Sequence, residues 1–362
     1  MRICALLLAT AATVLCQDNL GALPEGPGLA AGYAGDTGIS DNPAAVFVED
    51  FRKGVIGDLK ARWSEIKSQD GKVMAFVEDV PPGSGSPFSL RVTATRGQNE
   101  GGHLYRTLKP GHDRLFLRFY VKFADDAGFN HHFVSMGGEI NPADHAVGRA
   151  GLRPVDRWNS GIEPTVGSQH LRGSDIAPPG IWHFYTYWPE MRSWQSEDGK
   201  ATDDNGRAYY GNNFEPREPV PAQRGKWICV EMMVKMNATP ESYDGEQAMW
   251  IDGKLAGRFA IGTMRGKWSR ALFRIDPAGQ PFEGFRWRTN PQVKINKLWL
   301  SHYVSADQAF PRTQKYAAAH PEMKINTEQQ TVWFAHVVVG TEYIGPLGAA
   351  RRTGGQPAGR NK

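Results

Sequence analysis

A chain of 362 residues has room for one large all-β domain or two ordinary ones. Its formal charge of +4 rests on 42 basic against 38 acidic side chains. Five of the 42 (Arg2, Arg351, Arg352, Arg360 and Lys362) lie at the termini, and the remaining 37 leave a nearly neutral body, which excludes bulk attraction to a polyanion.

Residues 1–16 place Arg2 before an apolar run too short to span a bilayer, and they read as a secretory signal peptide cut near Gln17. Cys16 would suit a lipoprotein anchor, but Leu15 stands where such a site wants a small residue, so cleavage is the favoured reading. A secreted or periplasmic protein without a membrane span is expected. With Cys4 and Cys16 in the leader, Cys229 is left alone, which excludes a disulfide framework. Residues 17–43, rich in Gly, Ala and Pro, read as an arm or linker. One domain is expected over 44–345 and a disordered basic tail over 346–362.

Short strands are predicted at 46–51, 63–68, 73–78, 88–96 and 103–108, separated by turn residues such as Asp70-Gly71 and Pro81-Pro82-Gly83. That spacing argues for a sandwich. Residues 114–123 (RLFLRFYVKF) alternate most regularly, with Leu115, Leu117, Phe119, Val121 and Phe123 on one face and Arg114, Phe116, Arg118, Tyr120 and Lys122 on the other. Residues 131–136 are a further strand, in which His131 and His132 must point to opposite faces. Residues 137–180 read as a long irregular segment holding Asp144, His145, Arg149, Arg153, Arg157, Trp158 and His170, and such loops tend to carry function or move. Alternation returns over 182–191, with His183, Tyr185 and Tyr187 on one face and Trp182, Phe184, Thr186 and Trp188 on the other. A second insertion follows over 192–224.

Residues 225–259 (GKWICVEMMVKMNATPESYDGEQAMWIDGKLAGRF) read as a strand, a polar connection, a second strand, a tight Asp252-Gly253 turn and a third strand. The G-K-W opening, the alternating strand ending in Asn237 and the W-I-D-G-K hairpin resemble the central strands of concanavalin A-like jelly-roll domains. Within them they are most similar to polysaccharide lyases of the alginate and glucuronan type. The resemblance implies a two-sheet antiparallel jelly-roll sandwich with long loop insertions, covering 46–344 loosely and the hairpin closely. It also implies a polysaccharide ligand, no required cofactor, and room for a structural calcium ion near the first and last strands. Residues 273–287 are mixed, broken by Asp276-Pro277 and Gly284; strand signals continue at 293–304 and 331–345, with a short helix predicted within 307–320.

If the strands at 114–123, 182–191 and 227–236 share the concave sheet, as the resemblance implies, their polar rows converge on one groove. A uronate lyase needs a cation or amide to neutralise the C6 carboxylate, a base for the C5 proton and an acid for the leaving O4. Arg118 or Lys122 fits the first role, His183 or a tyrosine the second, and Tyr187 or Tyr185 the third. Tyr120, His132, Trp188, Trp227, Glu231 and Lys235 are the expected substrate-binding residues, and no metal is needed. The family's R-x-E-L/V-R, Q-I-H and Y-K-A-G-x-Y-x-Q signatures are absent; Ser168-Gln169-His170 and Arg118-Phe119-Tyr120 are the nearest parts. For each residue the bland alternative stands beside the chemical one: a solvated outer face for the 114–123 row, a hydrogen-bonded structural histidine for His183, and a buried inert thiol for Cys229.

Two other functions fit the same residues. A non-catalytic lectin-like module would use Trp182, Trp188, Trp227, Trp250 and Tyr187 as stacking platforms. A retaining glycosidase would pair Glu231 with Glu139, Glu163 or Glu190, although the E-x-D-x-x-E strand motif is absent. No phosphate loop and no nucleic-acid motif occurs, and a monomer is expected.

Overall fold

The computed structural model describes residues 20–165, 176–200 and 207–348. The leader, His170 and most of the basic tail lie outside these residues.

In chain order the strands are β1 (Ala45–Glu49), β2 (Glu65–Lys67), β3 (Met74–Val77), β4 (Ser89–Thr95), β5 (Gly101–His112), β6 (Arg114–Phe123), β7 (Val134–Glu139), β8 (Arg157–Thr165) and β9 (Ile181–Tyr187). They continue as β10 (Asn212–Phe214), β11 (Trp227–Lys235), β12 (Glu246–Ile251), β13 (Lys254–Phe259), β14 (Arg265–Ser269), β15 (Leu272–Ile275), β16 (Gln280–Pro281), β17 (Ile295–Tyr303) and β18 (Gln329–Gly340). The predicted helix forms as α1 (Ala309–Ala319) before β18.

Among the described residues the strands make two sheets. An eight-stranded sheet runs β13-β12-β11-β6-β18-β4-β3, with β1 added on β18, and a ten-stranded sheet runs β16-β14-β15-β10-β9-β8-β7-β17-β5-β2. The pairings are antiparallel save the short β10–β15 contact. This is the expected all-β sandwich. The apolar row of β6 (Leu115, Leu117, Phe119, Val121, Phe123) and that of β11 (Ile228, Val230, Met232, Val234) fill the space between the sheets. They meet rings from the other layer: Phe119 lies 6.2 Å from Phe133, and Phe123 lies 6.1 Å from Trp182. Trp188, expected as a sugar platform, belongs to this core, 5.7 Å from Phe214 and 5.3 Å from Phe285.

The other rows of β6 and β11 do not face the groove. Both strands belong to the eight-stranded sheet, whereas β9 belongs to the ten-stranded one, so Arg118, Tyr120, Lys122, Trp227, Glu231 and Lys235 lie on the far side of the sandwich from Tyr185. The expected convergence is thereby corrected. Each of these residues has a structural partner instead. Arg118 donates to Asp36 (2.6 Å), the Tyr120 hydroxyl accepts from the Leu347 N–H (2.9 Å), and Lys122 and Trp227 both engage Asp79. Glu231 accepts the N–H groups of Ile344 and Gly345 at 2.8 Å each, and Lys235 reaches the Asp244 carbonyl at 3.4 Å.

Of these partners Asp36, Ile344, Gly345 and Leu347 come from the two terminal segments, which cover much of this face. The stretch expected to be a linker is anchored: the N–H groups of Gly26, Leu29 and Ala30 bond to the carbonyls of Gly253, Tyr343 and Ile344 at 2.7–3.0 Å, and Ala30 and Ile39 are buried against Phe116, Met233 and Trp250. Asp36 also accepts from His336 Nδ1 (3.0 Å), whose Nε2 lies 2.6 Å from Ser84 Oγ. The order Ser84–His336–Asp36 has the connectivity of an acyl-transfer triad. The nearby donors that an oxyanion would need are spent, however: Ser84 N–H on Pro81, Gly85 N–H on Gly35 and Ser86 N–H on Ser84 Oγ. Gly35 and Gly85 are packed so closely that a Cβ on Gly35 would lie 2.3 Å from the Gly85 nitrogen. The network is a clamp that ties the arm to the sheet.

Removing one member of a buried ion pair strands the other charge. Asp36→Ala is expected to cost about 3–5 kcal/mol in urea unfolding; a loss within about 0.5 kcal/mol, typical of a loose surface arm, would contradict the clamp.

Burial pushes the Glu231 carboxyl up to about 7, only partly offset by the two N–H donors and Arg118. A folded-state value above the unfolded one near 4.3 means stability is fully present below about pH 4.3 and is lost as pH rises through about 7. The loss amounts to roughly 3 kcal/mol. Glu231→Gln is expected to flatten this part of the stability profile, read as urea midpoints across that range.

Candidate active site

Strand register lays out the face of the ten-stranded sheet that points away from the core. Tyr185 (β9) stands opposite Gly161 (β8), then Ser135 (β7), Trp299 (β17), Tyr105 (β5) and Glu65 (β2). A neighbouring row reads Tyr187, Asn159, Gly137, Lys297 and Thr107. Beyond it Arg157 faces Glu139, and on the other side Glu163 faces His183. Period-two alternation puts all of these on one face. All but Glu65, Thr107 and His183 line a cavity of about 430 Å³ together with His132, His145, Arg149 and Tyr303.

The floor is low where the rows hold glycine. A Cβ on Gly137 would sit 3.0 Å from Asn159 Oδ1 and 3.1 Å from Lys297 Cε, so the bare glycine lets the amide and the amine approach from either side. Next to this floor the hydroxyls of Tyr185 and Tyr187 are 3.5 Å apart. The His132 ring lies 5.0 Å from Tyr185, and its Nδ1 is 3.3 Å from Glu163 Oε2, which also accepts the Phe133 N–H at 3.2 Å. His131 and His132 do not point to opposite faces. They precede β7 rather than belonging to it, and their rings pack at 4.3 Å, with Tyr303 stacked 5.2 Å from His131.

Burial sets the charge states. It alone would raise Glu163, but the charge and hydrogen bond of His132, with His183 and His131, outweigh it and hold the carboxyl below its usual range. Burial pushes the phenols of Tyr185 and Tyr187 up, so both stay protonated donors at neutral pH. It pushes Lys297 down, against the pull of Glu139 3.5 Å away. His183 is only 2% exposed, held below the usual histidine range by burial, with Nδ1 2.9 Å from the Glu163 carbonyl. It fixes β8 against β9 from behind the cavity lining.

Of the residues expected to act on substrate, the structure therefore brings together Tyr185, Tyr187 and His132, with His183 behind them. It sets Arg118, Lys122, Tyr120, Trp227, Glu231 and Lys235 on the opposite face and Trp188 in the core. Glu163, weighed in the sequence only as a glycosidase carboxylate, completes the cavity as partner of His132, together with Asn159, Lys297, Tyr105, Trp299 and Tyr303, which the sequence reading passed over. Arg157, Asn159, Gly161 and Glu163 sit in β8, inside the span taken as irregular. Their alternation with Trp158, Ser160, Ile162 and Pro164 was the available signal.

The carboxylates of this face are far apart. Glu139 stands opposite Arg157, six residues along β8 from Glu163, which is about 20 Å at roughly 3.4 Å per residue. Glu65 is four strands from Gly161, about 19 Å. Neither distance suits the roughly 5 Å of a retaining glycosidase. Among the described residues no group of three or more His, Cys, Asp or Glu stands close enough to hold a metal ion. On the first strand, Glu49 accepts from Arg62, Trp63 and the Phe51 N–H.

Among the described residues no helix is long and apolar enough to cross a membrane. No family model and no curated protein sequence matches the chain. Solved structures do. Alginate lyase vAL-1 from Chlorella virus is 10% identical over 82% of this chain and 99% of its own, with a TM-score of 0.50. Alginate lyase Aly36B (12%; 88% and 98%; TM-score 0.44) and an endo-beta-1,4-glucuronan lyase from the fungus Trichoderma reesei (14%; 82% and 95%; TM-score 0.41) are also similar. At such identities the likeness is one of fold, and the fold is the concanavalin A-like jelly roll.

Proposed function

We propose that this protein is a polysaccharide lyase that cleaves uronate-containing chains by β-elimination in the cavity of the ten-stranded sheet. The observation that carries the reading is the meeting of two protonated tyrosines, 3.5 Å apart, with a carboxylate-bound histidine beside an amide and cations. The fold shared with alginate and glucuronan lyases supports it.

Arg157, Asn159 and Lys297 neutralise the C6 carboxylate, which acidifies the C5 proton and stabilises the enolate. His132 takes that proton on Nε2, because Glu163 holds Nδ1 and so fixes the tautomer and ring orientation. The C5 electron pair forms the C4=C5 double bond as the C4–O4 bond breaks, and a tyrosine hydroxyl, assigned to Tyr187 with Tyr185 as its hydrogen-bond partner, protonates O4. The phenolate recovers its proton from solvent or from His132. Burial fits this assignment: it keeps the phenol protonated at neutral pH, so Tyr187 enters the step holding the proton that O4 needs.

The test is incubation with alginate, glucuronan and related uronate polymers while following the ultraviolet absorbance of the unsaturated product. Absorbance should rise with one of them. Binding without any rise would replace the lyase by the lectin reading. His132→Ala and Tyr187→Phe are each expected to lower kcat by about 10²–10⁴-fold, with circular dichroism unchanged. Arg118→Lys is expected to leave the rate per folded molecule unaltered, since Arg118 lies on the other sheet.

A further inference from the structure

We propose that one end of the cavity is a closed subsite for the terminal sugar of a chain, so that the protein works from chain ends and releases short products; this rests on the lyase reading above. The segment between β7 and β8 turns back across β17, β5 and β2 and forms a wall. Four contacts pin it: Tyr105 hydroxyl to the Ala143 carbonyl (3.1 Å), Thr107 Oγ1 to Asp144 (2.8 Å), Ala146 N–H to Glu65 (2.7 Å) and Arg149 to Glu139 (3.3 Å). Glu65 is itself held by His103 Nε2 at 3.1 Å. The anchors sit on three strands, β2, β5 and β7, and the segment contributes His145 to Arg149 to the cavity lining.

From Tyr185 to Tyr105 along the row is four strand spacings, about 19 Å. A chain lying across the strands from the tyrosine pair therefore runs only a few sugar units before it meets the wall. The end of that path is equipped for a sugar. Trp299 presents an indole with its ring 5.3 Å from His103 and 6.3 Å from Tyr105, and its Nε1–H is buried without a partner among the described residues. Arg149 and Lys67 add cations for a terminal carboxylate. An aromatic plate, an unspent donor and cations against a fixed wall recognise an end, whereas a chain passing through needs an open exit.

Two measurements test this. Product sizes over time, read by size-exclusion chromatography on a uronate polymer, should show short oligosaccharides from the first points while the bulk polymer keeps its length. A rapid fall in mean chain length, as from internal cuts, would overturn the subsite while leaving the lyase reading intact. The double variant Glu65→Gln, Asp144→Ala removes two pins and is expected to lengthen the first products. The second measurement needs no turnover: tryptophan fluorescence of Tyr187→Phe protein titrated with uronate trisaccharide and with two polymer lengths. An end subsite gives one Kd per chain whatever its length. Binding that strengthens in proportion to chain length, or no binding of any uronate chain, would sink the proposal even if no polymer were cleaved.

Discussion

Everything on the reactive face hangs on the apolar layer between the sheets. Because side chains alternate along a strand, a residue committed to that layer forces its neighbours outward, and pairing then ranks the outward ones in rows. Phe184 in the core puts Tyr185 in the cavity, and Ile162 does the same for Gly161 and Glu163. Each buried Phe, Leu or Ile contributes about 1.5–3 kcal/mol, so a one-residue slip that exchanged the two faces would be prohibitive. The spacing of the tyrosine pair, the amide and Lys297 is therefore a property of backbone register, and the loops add the wall and, just before β7, His132.

Two buried glutamates show how neighbours decide what burial does. Glu163 has His132 at hydrogen-bond distance and two further histidines nearby, and its carboxyl is held down. Glu231 receives two backbone N–H groups, with Arg118 acting at longer range, and burial wins, lifting it to about 7. One keeps its charge against His132 in the cavity lining. The other fastens a terminal segment and grows weaker as pH rises.

How much of this was legible in the sequence follows from the same alternation. The sandwich, the hairpin at 225–259 and the face-sharing of His183, Tyr185 and Tyr187 could all be read because period two is local. Which sheet a strand joins is not local. The row of Arg118, Tyr120 and Lys122 looks chemically like a binding face, and only the pairing of β6 with β11 and β18 reveals that it lies beneath the chain's own ends. Three glycines and a proline in β7 and β8 hid strands within what looked like a loop, and with them Asn159 and Glu163. Gly, Ala and Pro likewise made residues 20–43 look like a tether, although their small side chains are what lets them pack closely on the sheet.

The place of β18 in its sheet has a bearing on how the molecule comes into being. It is the last strand among the described residues, yet it lies between β6 and β4 and also carries β1. Until it emerges during synthesis, the β13-β12-β11-β6 ribbon and the β4-β3 pair cannot join, and the arm that ends in Asp36 has neither His336 nor Ile344 to hold. Contacts between residues some 300 apart carry the full entropic delay of closing a long chain. The two parts of this sheet can therefore meet only once β18 is in place, and until then each keeps an exposed edge.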